Sequence, residues 1–462
     1  MLTILGIGRG DLASLTMEGF SRIEAGGQVV LQTGHIPLAE ELTRRGIAFE
    51  TLDACYDAAE DFDELQEFAV QYFQRRPDAL FCVMGDLSMN TLVRALLQNG
   101  PAELVAGYSP SAAALSLCAA ELSGSVAQSC SAYDFLESEY SGQGSLVITE
   151  VDSPYLAAEV ALRLQRYFSG DWTAYVVRGT DKRACAISEL CTWPDWDFSC
   201  VIVVPEQSLT AREGYTFADF CRILDILLGE NGCPWDRAQT HESLRTCLLE
   251  ECYEVVEAID EKDSFQLADE LGDLLMQVCI HAKIAEKHGE FDALDVSTEI
   301  SRKMIRRHPN IFGSGDGAES WEELKRREKP WESYAAALSD IPRAMSALLR
   351  AAKLHRKADS LHVTPAGAEE AAARIPGEFA ALLGAPAEVA ERLAGEVLFD
   401  LTQVLGARGV DAEAALQQAC SRFVEAISRM EALARAEGAD PANLPAEARK
   451  MLWQRANCAK SL

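Results

Sequence analysis

Several things are scarce in this chain. Its 14 cysteines form no C-x-x-C pair and no framework of close, regular spacings, which excludes the common zinc and redox dithiol motifs and a disulfide-stapled fold. No run of about eighteen apolar residues occurs, so no spanning helix is expected. The opening Met1-Leu2-Thr3-Ile4-Leu5-Gly6-Ile7-Gly8 has no basic stretch ahead of a long apolar one, and no secretory leader is expected either. Positive charge is short as well: 42 Lys and Arg stand against 72 Asp and Glu, a formal charge of -30. That balance argues against a nucleic-acid polymer as partner, because such binding needs cations against phosphate. It leaves a nucleotide substrate open, since a divalent ion can bridge anionic groups. The expectation is a soluble cytoplasmic protein, whose 462 residues suffice for two or three domains.

What is present is acidic pattern. Glu250-Glu251-Cys252-Tyr253-Glu254 is followed, sixteen residues beyond Glu254, by Glu270-Leu271-Gly272-Asp273. At 100° per residue, Leu248, Cys252, Val255 and Ile259 form one apolar stripe, with Glu250, Glu254, Glu257 and Glu261 opposite and Glu251 at the border. In the second segment Leu267, Leu271, Leu274, Leu275 and Val278 form the stripe, flanked by Glu270, Asp273 and Gln277. A short turn near Asp260 to Ser264 predicts an antiparallel pair that brings Glu251, Glu254, Glu270 and Asp273 together. Two carboxylates roughly 5 Å apart repel by about 3 kcal/mol at an effective dielectric near 20, so such a group calls for a cation. Oxygen-only ligands suit Mg²⁺ or Mn²⁺, and Mg²⁺ held this way typically also holds phosphates. A solvated acidic helix face is the competing reading. A di-iron bundle is disfavoured, because neither pattern has histidine at the Glu-x-x-His offset.

Residues 1–205 alternate short β-type runs with helical ones and predict an α/β domain. Strands are expected at Leu2 to Ile7, Gln28 to Gln32, Ala79 to Met84, Leu104 to Gly107, Ser145 to Thr149, Thr173 to Val177 and Cys200 to Val204. The turns Gly6-Ile7-Gly8-Arg9-Gly10-Asp11 and Gly85-Asp86 close two of them, where open α/β sheets bind ligands. The first is not the dinucleotide fingerprint, since Asp11 takes the place of its third glycine. A polar passage at 206–216 reads as a linker, and helical sequence follows. Asn231-Gly232-Cys233-Pro234-Trp235-Asp236-Arg237 is a compact turn, either packed by Trp235 or acting as a lid over a nucleobase or phosphate.

Two resemblances add to this reading. Gly6-x-Gly8-x-Gly10-Asp11 with Leu15-Thr16, Val83-Met84-Gly85-Asp86 and Gly107-Tyr108-Ser109-Pro110-Ser111-Ala112 resembles the tetrapyrrole methylases, which use S-adenosylmethionine. The resemblance implies that Gly85 and Asp86 lie against that cofactor, with Gly6 and Gly8 lining the opposite side of the cleft. Arg9 and Leu87 stand where that family usually has proline, and Pro110 interrupts its turn. Then Gly232-Cys233-Pro234-Trp235-Asp236, Gln239-Thr240-His241, Leu249-Glu250-Glu251, Glu254, Glu270-Leu271-Gly272-Asp273-Leu274-Leu275 and Arg306-Arg307-His308-Pro309 with Phe312 resemble MazG, the all-α nucleoside triphosphate pyrophosphohydrolases. This resemblance spans 217–330 and implies hydrolysis of NTP to NMP and diphosphate by a homodimer. It implies Glu251, Glu254, Glu270 and Asp273 as Mg²⁺ ligands and Glu250 as a ligand or as the group that orients and deprotonates water. Trp235 and Asp236 are the candidates at the base or sugar, and Arg306, Arg307 and Lys325 those at phosphate.

Residues 331–462 are expected to hold a second, lapsed MazG-like copy. Gly395-Glu396-Val397-Leu398-Phe399 resembles the segment from Gly272 to Met276, but Leu393 replaces Glu270. Ile375-Pro376-Gly377-Glu378 falls where the first acidic helix would be, and proline and glycine there are expected to break it. The expected architecture is thus multidomain: a methylase-like α/β domain, then an all-α bundle with a degenerate repeat. The alternatives are a methyltransferase acting on a small molecule, with the helices serving assembly, and a nonenzymatic nucleotide sensor.

Overall fold

The computed structural model describes residues 1–122, 126–313, 331–364 and 367–458. They divide into two compact units, Met1–Glu299 and Ile300–Leu462. The first opens with two five-stranded sheets, ordered β3-β2-β4-β1-β5 and β6-β7-β10-β8-β9. In the first sheet β1 (Thr3–Gly8), β2 (Val29–Leu31), β3 (Glu50–Thr51), β4 (Leu80–Met84) and β5 (Glu103–Val105) are all parallel. Successive side chains of a strand point to opposite faces, and here both faces are buried. Ile4, Val30, Phe81 and Val83 pack on one side, while Leu5, Ile7, Leu31, Cys82 and Met84 pack on the other.

The second sheet pairs β6 (Ala127–Ser131) parallel to β7 (Ser145–Thr149). Its remaining strands β8 (Thr173–Arg178), β9 (Asp181–Ala186) and β10 (Cys200–Val204) join antiparallel. The unexpected strands β3, β6 and β9 are all at sheet edges. An edge strand needs no continuous apolar run, and Asp181-Lys182-Arg183 on β9 is exposed.

The passage at 206–216 is no loose tether. Arg212 is buried, and its guanidinium donates to the Gly142 carbonyl (2.6 Å) and to the Asp219 carboxylate (2.5 Å). Asp219 is fully buried in the first turn of α1 (Phe217–Leu228), where its carboxylate also accepts from the Thr216 N–H to close a capping box. The Thr216 hydroxyl donates to the Ser141 carbonyl. The start of the helical region is thereby fixed onto the α/β region.

After the short helix Pro234–Arg237 come three longer ones: α2 (Arg245–Glu261), α3 (Ser264–His288) and α4 (Ala293–Arg307). Lys262 takes a left-handed conformation (φ 59°) and Asp263 caps α3 by accepting from Phe265 and Gln266. That two-residue turn makes α2 and α3 an antiparallel pair. Leu224, Leu244, Cys279, Ile280 and Ile284 seat α1 and the loop before α2 against the far half of α3.

The second unit contains α5 (Ala347–Ser360), α6 (Ala368–Gly384), α7 (Ala387–Ala407), α8 (Ala412–Ala436) and α9 (Ala446–Cys458), with α6 and α7 forming a hairpin. Contrary to expectation, α6 runs unbroken through Pro376 and Gly377. An internal proline costs about 3 kcal/mol through its missing N–H and its ring. Packing along α7 offsets this, together with a bidentate pair from Arg374 Nε and Nη2 to Asp400 (2.8 and 2.9 Å).

Removing one partner of a buried pair leaves the other charge stranded, so Asp219→Ala is expected to lower unfolding free energy by about 3–5 kcal/mol. The paired replacement Arg212→Met with Asp219→Leu should cost far less. Urea titrations of the three proteins measure both.

Candidate active site

The α2–α3 turn sets Glu251 opposite the first half of α3. Glu251, Glu270 and Asp273, each half-buried, present carboxylate oxygens that lie within 4.8 Å of one another. Burial, then the charge of Asp273, raises the pKa of Glu251, and Glu254 adds to the effect while Gln277 opposes it. Among the described residues no Lys or Arg forms an ion pair with these three acids. Gln277 is buried one turn beyond Asp273, with its Nε2 3.5 Å from Glu251 Oε1 and its own Oε1 without a partner. Converging oxygens, mutual repulsion and an orphaned amide oxygen fit a hard divalent cation.

Glu250 and Glu254 are both exposed and neither belongs to this group of three, although Glu254 lies close enough to Glu251 to act on its pKa. Only part of the expected apolar stripe faces inward: Leu248, Val255, Leu267 and Leu274 are half-buried, and the rest is exposed. Ile259 is 54% exposed, Leu271 48% and Val278 43%, while Ala258, Gln277, Cys279, Ile280 and Ala282 are buried. The acids and Gln277 occupy the seam between the two helices, and within the described residues nothing covers the outer stripe.

Trp235 is exposed on the short helix Pro234–Arg237 and Asp236 is half-buried there. Gln239 Nε2 donates to the Trp235 carbonyl at 3.0 Å. Arg306 and Arg307 end α4 and belong to the second unit, and Lys325 lies outside the described residues. One residue escaped the sequence reading. His281 meets His241, Nδ1 to Nδ1, at 2.7 Å. The spacing Asp273, Gln277, His281 puts all three on one face of α3, and that periodicity was the available signal.

In the α/β region Gly8 and Gly85 are neighbours: the Gly85 N–H donates to the Gly8 carbonyl at 2.8 Å. Gly6 packs against Gly107, where an added Cβ would fall 1.9 Å from the Gly6 carbonyl oxygen, so this pair serves close backbone approach. Gly85 (φ 77°) has room above it, the nearest atom to an added Cβ being Glu150 Oε1 at 3.9 Å. Buried Asp86 accepts from the Ser111 N–H at 3.0 Å and pins the Ser109-Pro110-Ser111 turn. Glu150 itself is buried with φ 61°, and burial pushes its pKa up to about 8, with Arg94 opposing.

Residues 239–312 match the MazG nucleotide pyrophosphohydrolase domain. The nucleoside triphosphate pyrophosphohydrolase/pyrophosphatase MazG of Thermotoga maritima is 36% identical over 247 residues, 53% of this chain and 96% of that protein. The chain belongs to the MazG family. A nucleoside triphosphate pyrophosphohydrolase of Escherichia coli K12 is 34% identical over 49% of this chain and 90% of its own length. YabN of Bacillus subtilis, an uncharacterised protein, is 29% identical over 98% of both chains, so the MazG region and the α/β region that precedes it align there end to end. Among solved structures, a uroporphyrin-III C-methyltransferase from Thermus thermophilus is 16% identical, covering 44% of this chain and 91% of that one, with a TM-score of 0.32. No helix among the described residues is long and apolar enough to cross a membrane.

Glu150 binds its proton more tightly folded than unfolded, so its contribution to stability is complete below about pH 4.5 and is lost as pH rises through about 8. Glu150→Gln is expected to flatten this decline and to raise stability at pH 8 by about 2–4 kcal/mol. Denaturant titrations of both proteins from pH 5 to pH 8.5 measure it.

Proposed function

We propose that the protein hydrolyses nucleoside triphosphates to the monophosphate and diphosphate in a reaction that depends on Mg²⁺ or Mn²⁺. The observation that carries this reading is the convergence of Glu251, Glu270 and Asp273 within the MazG-matching residues. These three would hold the ion, with Glu254 completing the set at the rim. A divalent ion so held would neutralise charge on the triphosphate and make a water more acidic.

Water supplies the oxygen that bonds to the α-phosphorus. The α–β anhydride bond breaks, and its bridging oxygen leaves with diphosphate. Glu254 is our candidate to accept the proton of that water. Glu250, on the outer side of α2, has no step in this scheme. Trp235 and Asp236 are proposed at the nucleoside, and Arg306, Arg307 and Lys325 at phosphate, on the strength of their motif positions. A homodimer is proposed on the uncovered apolar stripe through Ile259, Leu271 and Val278, which one chain leaves in water. A cytoplasmic location is supported by the free state of the described cysteines.

With Mg²⁺, diphosphate release is expected across a panel of nucleotides. Asp273→Asn and Glu254→Gln should each lower kcat/KM by about a hundredfold or more, in line with losing a transition-state contact worth roughly 3 kcal/mol. Glu396→Gln, in the second hairpin, should leave turnover unchanged. Full activity in Asp273→Asn would overturn the site.

For the α/β region we propose S-adenosylmethionine binding at Gly85-Asp86, supported by the open space above Gly85. Calorimetry should show micromolar affinity that Gly85→Trp removes while the circular dichroism spectrum stays that of the parent. No heat with the parent protein would sink this assignment.

A further inference from the structure

The loop before α2 carries the nucleoside-side candidates, and it is built as one hydrogen-bonded piece. Besides the bond from Gln239 to the Trp235 carbonyl, the Ser243 hydroxyl donates to Gln239 Oε1 (2.8 Å) and accepts from the Thr240 N–H (2.9 Å). The Ser243 N–H donates to Thr240 Oγ1 at 3.2 Å. At its start the Cys233 N–H donates to the Leu227 carbonyl of α1. Leu244 packs the end of this piece on α3, and its orientation toward the acids still calls for a polar fixation.

His241 supplies that fixation. Its Nδ1 lies 2.7 Å from Nδ1 of His281, forty residues away on α3, with the rings within 5° of parallel. A bond between two Nδ1 atoms needs one ring to donate and the other to accept. Burial, then His241, holds His281 below the usual imidazole range, which keeps that ring neutral near pH 7 as the bond requires. His281 Nε2 is buried and finds no partner, so the bond to His241 is the polar contact that orients this ring. On the same face of α3, one and two turns toward the amino end, come Gln277 and then Asp273 of the acidic cluster.

We propose that the His241–His281 bond is a positioning pair that registers the Trp235–Ser243 loop on the helix bearing Glu270 and Asp273, so that nucleoside and triphosphate ends meet one rigid frame. Neither histidine acts in the chemistry or on the metal. The inference rests on the pyrophosphohydrolase reading for its kinetic arm, and the test has a second arm that does not.

The test compares the full-length parent with His281→Ala and with His281→Asn, whose amide can restore a donor or acceptor near the Nδ1 position. A hydrogen bond of this kind is worth about 0.5–1.5 kcal/mol, so His281→Ala should raise KM for the nucleotide about three- to tenfold with kcat changed less than about twofold. His281→Asn should recover part of that loss. By mass spectrometry, amide exchange over 235–243 should speed up at least about threefold in His281→Ala, while exchange at 264–276 stays as in the parent. Mn²⁺ titration without nucleotide should give the same affinity in all three proteins.

Unchanged exchange over the loop overturns the proposal. So does a fall in kcat at constant KM, which would make the histidine a participant in the reaction. Should the parent hydrolyse no nucleotide, the functional reading falls, and the exchange arm still decides whether the pair holds the loop.

Discussion

Like charges forced together are the constraint on which the helical region is arranged. Glu251, Glu270 and Asp273 stand on two helices whose antiparallel course is set by a two-residue turn. Their oxygens come as close as a chelating set must, and folding opposes this until charge is compensated. The surrounding features follow. Half-burial keeps water from fully screening the acids, the Gln277 amide steadies one oxygen of Glu251, and the apolar side chains displaced from the seam are left outside. A site of this kind stores unfavourable electrostatics in the resting protein.

The α/β region bears on that hairpin through a buried joint. Arg212 and Asp219, one in the connecting passage and one in the first turn of α1, are both out of water and share Gly142 as a third party. α1 in turn packs on the far half of α3 through Leu224 and Ile280. A chain of packed contacts thus leads from the sheets to the helix that bears two of the acids. The two regions are thus joined by packed contacts and a buried ion pair.

What could be read in advance, and what could not, follows from the range of each signal. The acids were legible because helical spacing is local and five carboxylates in two short patterns leave few other uses. The inner strands were legible because Leu80 to Met84 and Cys200 to Val204 are buried on both faces and so are apolar throughout. The edge strands β3, β6 and β9 were not, because an edge strand needs no continuous apolar run. The apolar stripe of α3 was legible only in part, because periodicity finds a stripe without saying how much of it its own chain covers: Leu267 and Leu274 are half-buried while Leu271 and Val278 remain exposed. Helical spacing puts His281 on the face of Asp273 and Gln277, but its partner stands forty positions earlier, beyond the reach of any local pattern. Pro376 was given too much weight, since local propensity yields to a hairpin contact made at Asp400, 26 residues beyond Arg374.

The hairpin of α6 and α7 meets its buried acid differently. Asp400 follows Glu396 by four residues, as Gln277 follows Asp273, and the guanidinium of Arg374 is clasped between that aspartate and the helix it came from. A covalently attached cation cannot be washed out, diluted or exchanged. The α6–α7 hairpin therefore keeps its compensating charge whatever the ionic composition of its surroundings, because that charge is part of the polypeptide.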